Sequence, residues 1–374
     1  MKKELAVIMD VGSLKITSLI GERGVNKTFV VRSQKDVEYE GFCEGEFFDT
    51  QSLETAIEKS VENLTQNLGF KVKKLFVGVP AEFTIVVQRD YQIALSKRRR
   101  ITEDDVNRLF DEAFVDNLDA FTLINRSSIL FELDDFRRFA DPVGEVSETL
   151  KGKLSFVLCK NYFIDIISSK LKKLGINDVE YVSSTLAESL FLIEPETRDR
   201  VAILIDVGYI TSSFSILQGD GLVYQRAFSY GGGYITANLA EEFSVDFEIA
   251  ESLKRKINIC LNHGEEDNYE IINGEEGYYF SANKVKEIAV ESLDNICAEI
   301  EKSMIMSKLN IPAHIPVFVT GGGISYIRGA KEHIAKRISM NVEVVGPKIP
   351  LYNKPTNSSC LAVLDLALQQ TSKK

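Results

Sequence analysis

The chain repeats itself at long range. Leu5-Ala6-Val7-Ile8-Met9-Asp10-Val11-Gly12 returns about half of the 374 residues later as Val201-Ala202-Ile203-Leu204-Ile205-Asp206-Val207-Gly208. Each copy is an unbroken apolar run ending in Asp-Val-Gly, the pattern of a fully buried strand that enters a tight turn. Each continues into a second β-type stretch, 16–21 and 212–217, so strand, glycine turn and returning strand are used twice. A repeat of this size predicts a duplicated domain architecture rather than a short-period solenoid.

Between the copies, 75–79 followed by Pro80 reads as a strand and 83–95 as further extended chain. Lys97-Arg98-Arg99-Arg100 reads as a basic loop. Thr102 then caps a helix to about Val115, with Glu103, Asp104 and Asp105 in its first turn. Strands are expected at 154–158 and 179–182, with helices at 163–174, closed by Gly175, and at 185–193. After the second copy, Gly231-Gly232-Gly233 precedes a helix from about 235 to 243, a further helix covers 248–261, and 263–277 is a polar, turn-rich excursion. Helix 283–309, strand 315–319, the turn Thr320-Gly321-Gly322-Gly323, helix 327–338, strand 342–345 and a closing helix 358–369 complete the chain. Strands and helices alternating in this way predict α/β layers.

Composition removes several function classes. Basic residues number 44 and acidic ones 55, a formal charge of −11, and phosphate-backbone binding depends on clustered Lys and Arg, so nucleic acid is not the expected partner. Cys43, Cys159, Cys260, Cys297 and Cys360 are scattered without zinc spacing, as expected of reduced thiols in a cytoplasmic protein. Met1-Lys2-Lys3-Glu4 leads into an apolar run that Asp10 ends too early for a signal peptide, and no run nears the ~20 residues of a membrane span. His263, His314 and His333 are too far apart to propose a metal site, no Ser or Cys sits in a G-x-S-x-G pattern, and no catalytic residue is singled out. Glu265-Glu266-Asp267 and Glu275-Glu276 read as solvated loop charges.

Three strand-to-turn junctions carry the candidate chemistry. At Asp10-Val11-Gly12-Ser13 the glycine lets backbone N–H groups approach an anion, while Asp10 is suited to hold a hydrated Mg²⁺ beside phosphates. Asp206-Val207-Gly208 with Thr211 forms the opposing jaw, and Gly321-Gly322-Gly323 supplies a floor under ribose and adenine or faces a phosphate at a helix N-terminus. A single Asp-Val-Gly is usually only a strand ending in a turn. Two in equivalent halves, with a late glycine triplet, predict a nucleotide cleft between duplicated domains.

On these motifs the chain resembles the actin/Hsp70 ATPase superfamily and, within it, the FtsA family of bacterial cell division proteins. The resemblance extends through Glu40-Gly41-Phe42-Cys43-Glu44-Gly45-Glu46, Phe76-Val77-Gly78-Val79-Pro80-Ala81 and Arg100 to Val106. It continues through Asp141-Pro142-Val143-Gly144, Gly231 to Ala240, Glu251-Ser252-Leu253-Lys254 and Gly321 to Gly329. It implies an actin-like (ribonuclease H-like) duplicated two-lobed fold. Residues 1–80 would begin domain 1, 81–175 would form an inserted α+β subdomain of the SHS2 type, and 176–374 would form domain 2, with a helical part at about 232–313 and a closing helix returning to domain 1. It also implies ATP and Mg²⁺ as ligands. Asp10 and Asp206 would place the metal through water, Gly12, Ser13, Lys15, Gly208 and Thr211 would line the phosphates, and Gly232, Glu251, Lys254, Gly321, Gly322, Gly323 and Ser325 would hold the rest of the nucleotide. The implied role is a cytoplasmic divisome adaptor that self-associates into filaments and links FtsZ to the division site.

Two positions depart from the family pattern. Tyr209 and Ile210 stand in the second phosphate turn, where bulk would crowd a γ-phosphate and a β-branched residue does not readily take φ > 0. After the closing helix only Gln370 to Lys374 follow, too short for an interfacial helix, so membrane contact is expected to be indirect or through a partner. Spacing alone also lets Glu251 and Lys254 be a surface i, i+3 ion pair. A nucleotide-free assembly platform and an actin-fold small-molecule kinase are the competing readings.

Overall fold

The two copies of the repeat become the central strands of two sheets with the same order. In the computed structural model, which describes residues 5–24, 28–114 and 118–372, the first sheet runs Phe29–Glu38, Lys15–Arg23, Leu5–Val11, Lys74–Val79, Asp178–Ser183. The second runs Gly221–Phe228, Ser212–Gln218, Ala202–Val207, Val317–Thr320, Val342–Val344. In each, three antiparallel strands are followed by two parallel ones, and the registers correspond: Asp10 lies opposite Thr17 and beside Gly78, Asp206 opposite Ser213 and beside Thr320. The expectations for Met1–Glu4, Val115 and Lys373–Lys374 fall outside the described residues.

Both faces of the first sheet are covered, which is why its strands read as unbroken apolar runs. Val7, Met9 and Val77 point to one core with Leu53, Ile57 and Leu64 of helix Thr50–Leu68 and Phe163, Ile167 and Leu171 of helix Asn161–Lys173. Ala6, Ile8 and Phe76, one residue out of phase, point to the other, with Ala187 of helix Ser184–Leu192 and Leu361, Leu364 and Leu368 of helix Ser358–Ser372. The second sheet packs on helices Gly232–Phe243, Phe247–Lys254, Ala282–Met306 and Ala330–Ile338 through Ile203, Ile205, Leu239, Leu253, Leu293 and Ile334.

A four-stranded sheet, Thr84–Arg100, Val146–Lys160, Phe121–Leu133 and Arg138–Phe139, is inserted between strands Lys74–Val79 and Asp178–Ser183 of the first sheet. Helix Glu103–Ala113 closes one of its faces through Leu109 and Phe110, and begins with Thr102 and Asp105 capping each other's backbone N–H. Val86, Ile124 and Val157 pack against Leu186, Leu204, Leu217 and Leu222 of the two lobes.

Several sequence expectations are corrected. Lys97–Arg100 is strand rather than loop, because Ser147 and Val146 pair with Arg99 and Arg100. The helix expected over 248–261 stops at Lys254, because Ile257 and Ile259 turn into the core and their backbone pairs with Arg328. Two thirds of the excursion at 263–277 belongs to a hairpin, Asn268–Asn273 with Glu276–Ser281, held down by buried Ile271 and Phe280. The boundary expected at 175 and 176 divides the first lobe. Asp178–Ser183 pairs with Lys74–Val79, Ser184–Leu192 packs on the same sheet, and the second sheet starts only at Ala202.

Candidate functional site

The carboxyl ends of the two central strands face a cleft of about 710 Å³, the position where ligands enter open α/β sheets. The cleft brings together Asp10, Gly12, Ser13, Lys15, Asp206, Gly208, Thr211, Glu251, Gly321 and Gly322. Gly232, Lys254 and Gly323 stand directly behind its wall. Ser325 is exposed and lines not the cleft but a smaller pocket beside it, with Ile324 and Lys331.

Backbone packing explains the glycines. A Cβ on Gly208 would meet Thr211 O at 2.4 Å, one on Gly323 would meet Gly208 O at 2.2 Å, and one on Gly232 would meet Gly323 O at 2.0 Å. The three turns are laced together: Gly323 N–H donates to Val207 O (2.8 Å), Gly232 N–H to Gly208 O (2.9 Å) and Gly233 N–H to Tyr209 O (2.7 Å). The first N–H groups of helix Gly232–Phe243 are therefore committed to the neighbouring turn. Gly321 has φ +93, with its Cα beside the Asp206 carboxylate and Val207 O.

The backbone penalty expected at Ile210 does not arise, since neither Tyr209 nor Ile210 takes a positive φ, while Tyr209 does line the cleft. The Tyr209 ring turns toward the second lobe, against Gly233, 6.4 Å from the Phe247 ring and 5.0 Å from Lys254 Nζ. Ile210 packs over Gly41, whose φ of +87 and approach to Ser13 O exclude a side chain there, and Ile210 N–H donates to Ser13 Oγ at 3.2 Å. Lys15 is held by Asp36, which also accepts from Thr17 Oγ1 at 2.9 Å.

Carboxylates crowd the centre. Asp10 is buried and accepts from Ser184 Oγ at 3.0 Å; a Cβ on Gly78 would lie 2.3 Å from its Oδ1. Burial pushes the Asp10 carboxyl up despite the hydroxyls of Ser359 and Ser184 and the charge of Lys15. Burial and the Asp10 charge push Asp206 up to about 7, and burial with the charges of Asp206 and Asp10 holds Glu188 well above the usual carboxylate range. Glu188 Oε1 is buried with no hydrogen-bond partner among the described residues. Sequence analysis missed Glu188. Its signal was a lone acid inside the apolar helix Ser184–Leu192, 2 % exposed in the structure. No three His, Cys, Asp or Glu side chains among the described residues group closely enough to ligate a metal directly.

At the other end, Glu251 accepts from Thr236 Oγ1 (2.7 Å), Lys254 Nζ (2.7 Å) and Arg255 Nε (3.2 Å). Burial alone would raise its carboxyl, but the Lys254 charge and these hydrogen bonds bring it below its ordinary value. The surface ion pair that spacing allowed is ruled out: Lys254 is 1 % exposed, donates to Gly232 O at 3.1 Å, and burial lowers its pKa against the pull of Glu251. At this end Arg255, not Lys254, faces the cleft, 5.6 Å from the Tyr326 ring. Arg255 was not singled out from sequence because it lies one residue beyond Glu251–Lys254, and Tyr326, although inside the stretch Gly321 to Gly329, was given no role.

The family model described as "Cell division protein FtsA" matches residues 203–362. Curated proteins called "Cell division protein FtsA" match along most of the chain. The one from Streptococcus pneumoniae is 21% identical, over 92% of this chain and 74% of its own length, and that from Pseudomonas aeruginosa is 20% identical, over 99% and 90%. Among solved structures, a chain of a "PilM-PilN type IV pilus biogenesis complex" superposes with a TM-score of 0.63 at 15% identity, covering 98% of both chains. MreB 5 of Spiroplasma citri bound to AMPPNP superposes with a TM-score of 0.56 at 11% identity, covering 99% and 97%. These likenesses give the fold, which is actin-like.

Proposed function

We propose that this chain, which is similar to FtsA proteins along most of its length and has the actin-like fold, is a cell-division scaffold that binds ATP with Mg²⁺ between its lobes, self-associates and links FtsZ filaments to the division site. The observation that carries the nucleotide reading is the pair Asp10 and Asp206, at corresponding registers of duplicated sheets and facing one cleft. With Glu188 they make a buried acidic centre whose raised pKa values and unpaired Oε1 fit a hydrated divalent cation, which would relieve their mutual repulsion. Asp10 and Asp206 would hold Mg²⁺ through water. The bound ion would supply charge neutralisation for the phosphates.

In this reading the turns at Gly12, Ser13, Gly208 and Thr211 take the phosphates, with Lys15 beside them once released from Asp36. Glu251, Gly321 and Gly322 line the nucleoside end. Lys254, Gly232 and Gly323 act from behind, holding Glu251 and the glycine turns in place, and Ser325 contributes to the loop rather than to the ligand. The four-stranded insert is taken as the SHS2-type subdomain.

Calorimetric titration of ATP with Mg²⁺, repeated on Asp206→Ala, tests the cleft; saturable binding that weakens in the variant is expected. Co-sedimentation with FtsZ filaments tests the linkage. Absence of both ATP binding and association overturns the proposal. A second reading, a nucleotide-free platform, draws on the Ser13 and Ile210 hydrogen bond, which occupies an N–H that a phosphate would use. It predicts association with no ATP heat.

A further inference from the structure

The end of the first lobe opposite the cleft carries a cluster of exposed lysines. Asp10 and Gly78 mark the cleft end of strands Leu5–Val11 and Lys74–Val79, so the loop 69–73, which enters Lys74–Val79, is at the other end. Strand Asp178–Ser183 runs parallel to Lys74–Val79 with Asp178 opposite Lys74, so its entry loop 174–177 lies alongside. Helix Asn161–Lys173 ends there with Lys172 and Lys173.

Lys71, Lys73, Lys172 and Lys173 are all exposed, and none makes an ion pair or side-chain hydrogen bond among the described residues. Their neighbours differ: Lys74 is taken by Glu180 at 2.5 Å and Lys170 by Glu58 at 2.9 Å. Residues 69–73 and 172–177 contain no acid and are bordered by the exposed Asp178, on a chain whose formal charge is −11. Among these lysines stands Phe70, 58 % exposed, although Val72 and Ile176 of the same loops are buried in the core. Gly69, with φ +73, ends helix Thr50–Leu68 sharply and leaves Phe70 outside it.

We propose that this surface is a direct contact with an anionic lipid bilayer, in which the four lysines meet headgroup charge and Phe70 enters the interface. Clustered lysines around a protruding aromatic fit a headgroup layer over an apolar interior. A nucleic acid would reward the lysines and leave Phe70 without a role. No helix among the described residues is long and apolar enough to cross a membrane, so the contact is peripheral. It uses a surface remote from the cleft and does not rest on the nucleotide reading.

Sedimentation of the full chain with vesicles of mixed phosphatidylglycerol and phosphatidylcholine, against pure phosphatidylcholine, tests it. The mixed vesicles alone should retain the protein, less so as salt rises. Lys71→Glu with Lys73→Glu should weaken retention at least about tenfold and Phe70→Ser roughly fivefold, with melting temperature unchanged. Hydrogen exchange on the unsubstituted protein gives a second readout: vesicles should protect amides in 69–73 and 172–177. Equal retention on neutral vesicles, full retention of the lysine variant, or protection confined to other segments overturns the proposal. So does capture of duplex DNA or an acidic polypeptide by these lysines without vesicle binding.

Discussion

Ser13 Oγ accepts the backbone N–H of Ile210 at 3.2 Å, so the two glycine turns, one from each lobe, touch across the floor of the cleft. The bond joins residues 197 positions apart, and it ties the halves of the duplicated fold at the point where an anion would enter. Ser13→Ala should cost about 1 kcal/mol, the usual worth of one intramolecular hydrogen bond, read as a lower urea midpoint without ligand. An unchanged midpoint would mean that the lobes are held by their other contacts alone.

The acidic centre makes stability depend on pH with a definite sign. Asp10, Asp206 and Glu188 all have folded-state pKa values above their ordinary ones, so the folded state keeps protons that the unfolded chain releases. Their contribution is fully present below about pH 4 and is lost as pH rises, for Asp206 through about 7. Asp206→Asn should flatten the decline in unfolding free energy between pH 5 and 8, which are chosen to bracket that value, and stabilise the ligand-free protein at pH 8. A variant with the parent's slope would show that Asp206 is already ionised at pH 5.

Asp105 behaves in the opposite sense. Arg99 reaches it through two hydrogen bonds of 2.6 and 2.7 Å, and the Arg99 guanidinium holds its carboxyl far below the usual range, against the effect of burial and with help from Thr102. Its stabilisation is present above about pH 4 and lost as pH falls toward the depressed folded-state value. Asp105→Asn should cost roughly 1 to 2 kcal/mol at pH 7, as capping residues do, and much less at pH 3. Urea titrations at both pH values check this, and an equal deficit at each would assign the loss to packing.

Lys254 and Arg255 both pair with Glu251 yet should differ in consequence. Lys254→Ala leaves Glu251 and Gly232 O without their buried cation and should cost about 3 kcal/mol or more. Arg255 is largely exposed and paired at 3.2 Å, so Arg255→Ala should cost under about 1 kcal/mol. Thermal melts of the two variants compare them directly. Equal costs would mean that the buried ammonium contributes no more than a surface charge.

Gly321 leaves little room for substitution, with φ +93 and an ideal Cβ 2.2 Å from Asp206 Oδ1. Gly321→Ala should destabilise by about 1 to 3 kcal/mol and displace the Asp206 carboxylate. A crystal structure of the variant with Asp206 unmoved would overturn the second half of that statement.

Residues whose position follows from their own strand were legible in the sequence. Asp10 and Asp206 each end an apolar run, and period and position alone mark both. Thr102 announced its helix by the acids that follow it, and the structure gives it the expected cap. Glu188 was not legible, because nothing near it in sequence distinguishes a helix facing a cleft from one buried throughout. The extended state of Lys97–Arg100 was hidden likewise, since its partners at 146 and 147 lie some fifty residues away.

The sequence by itself determined the duplicated architecture, the strand-turn-strand units and the glycines they need, because these are local consequences of side-chain period and backbone sterics. Only the tertiary structure decided which carboxylates share one cavity, that Lys254 is buried while Arg255 faces the cleft, that the Tyr209 ring lies against Gly233 and Lys254, and that Phe70 and four lysines lie at one end of the first lobe. Each of those depends on residues brought together by long-range packing, and electrostatic energies follow distance and burial in space rather than separation along the chain.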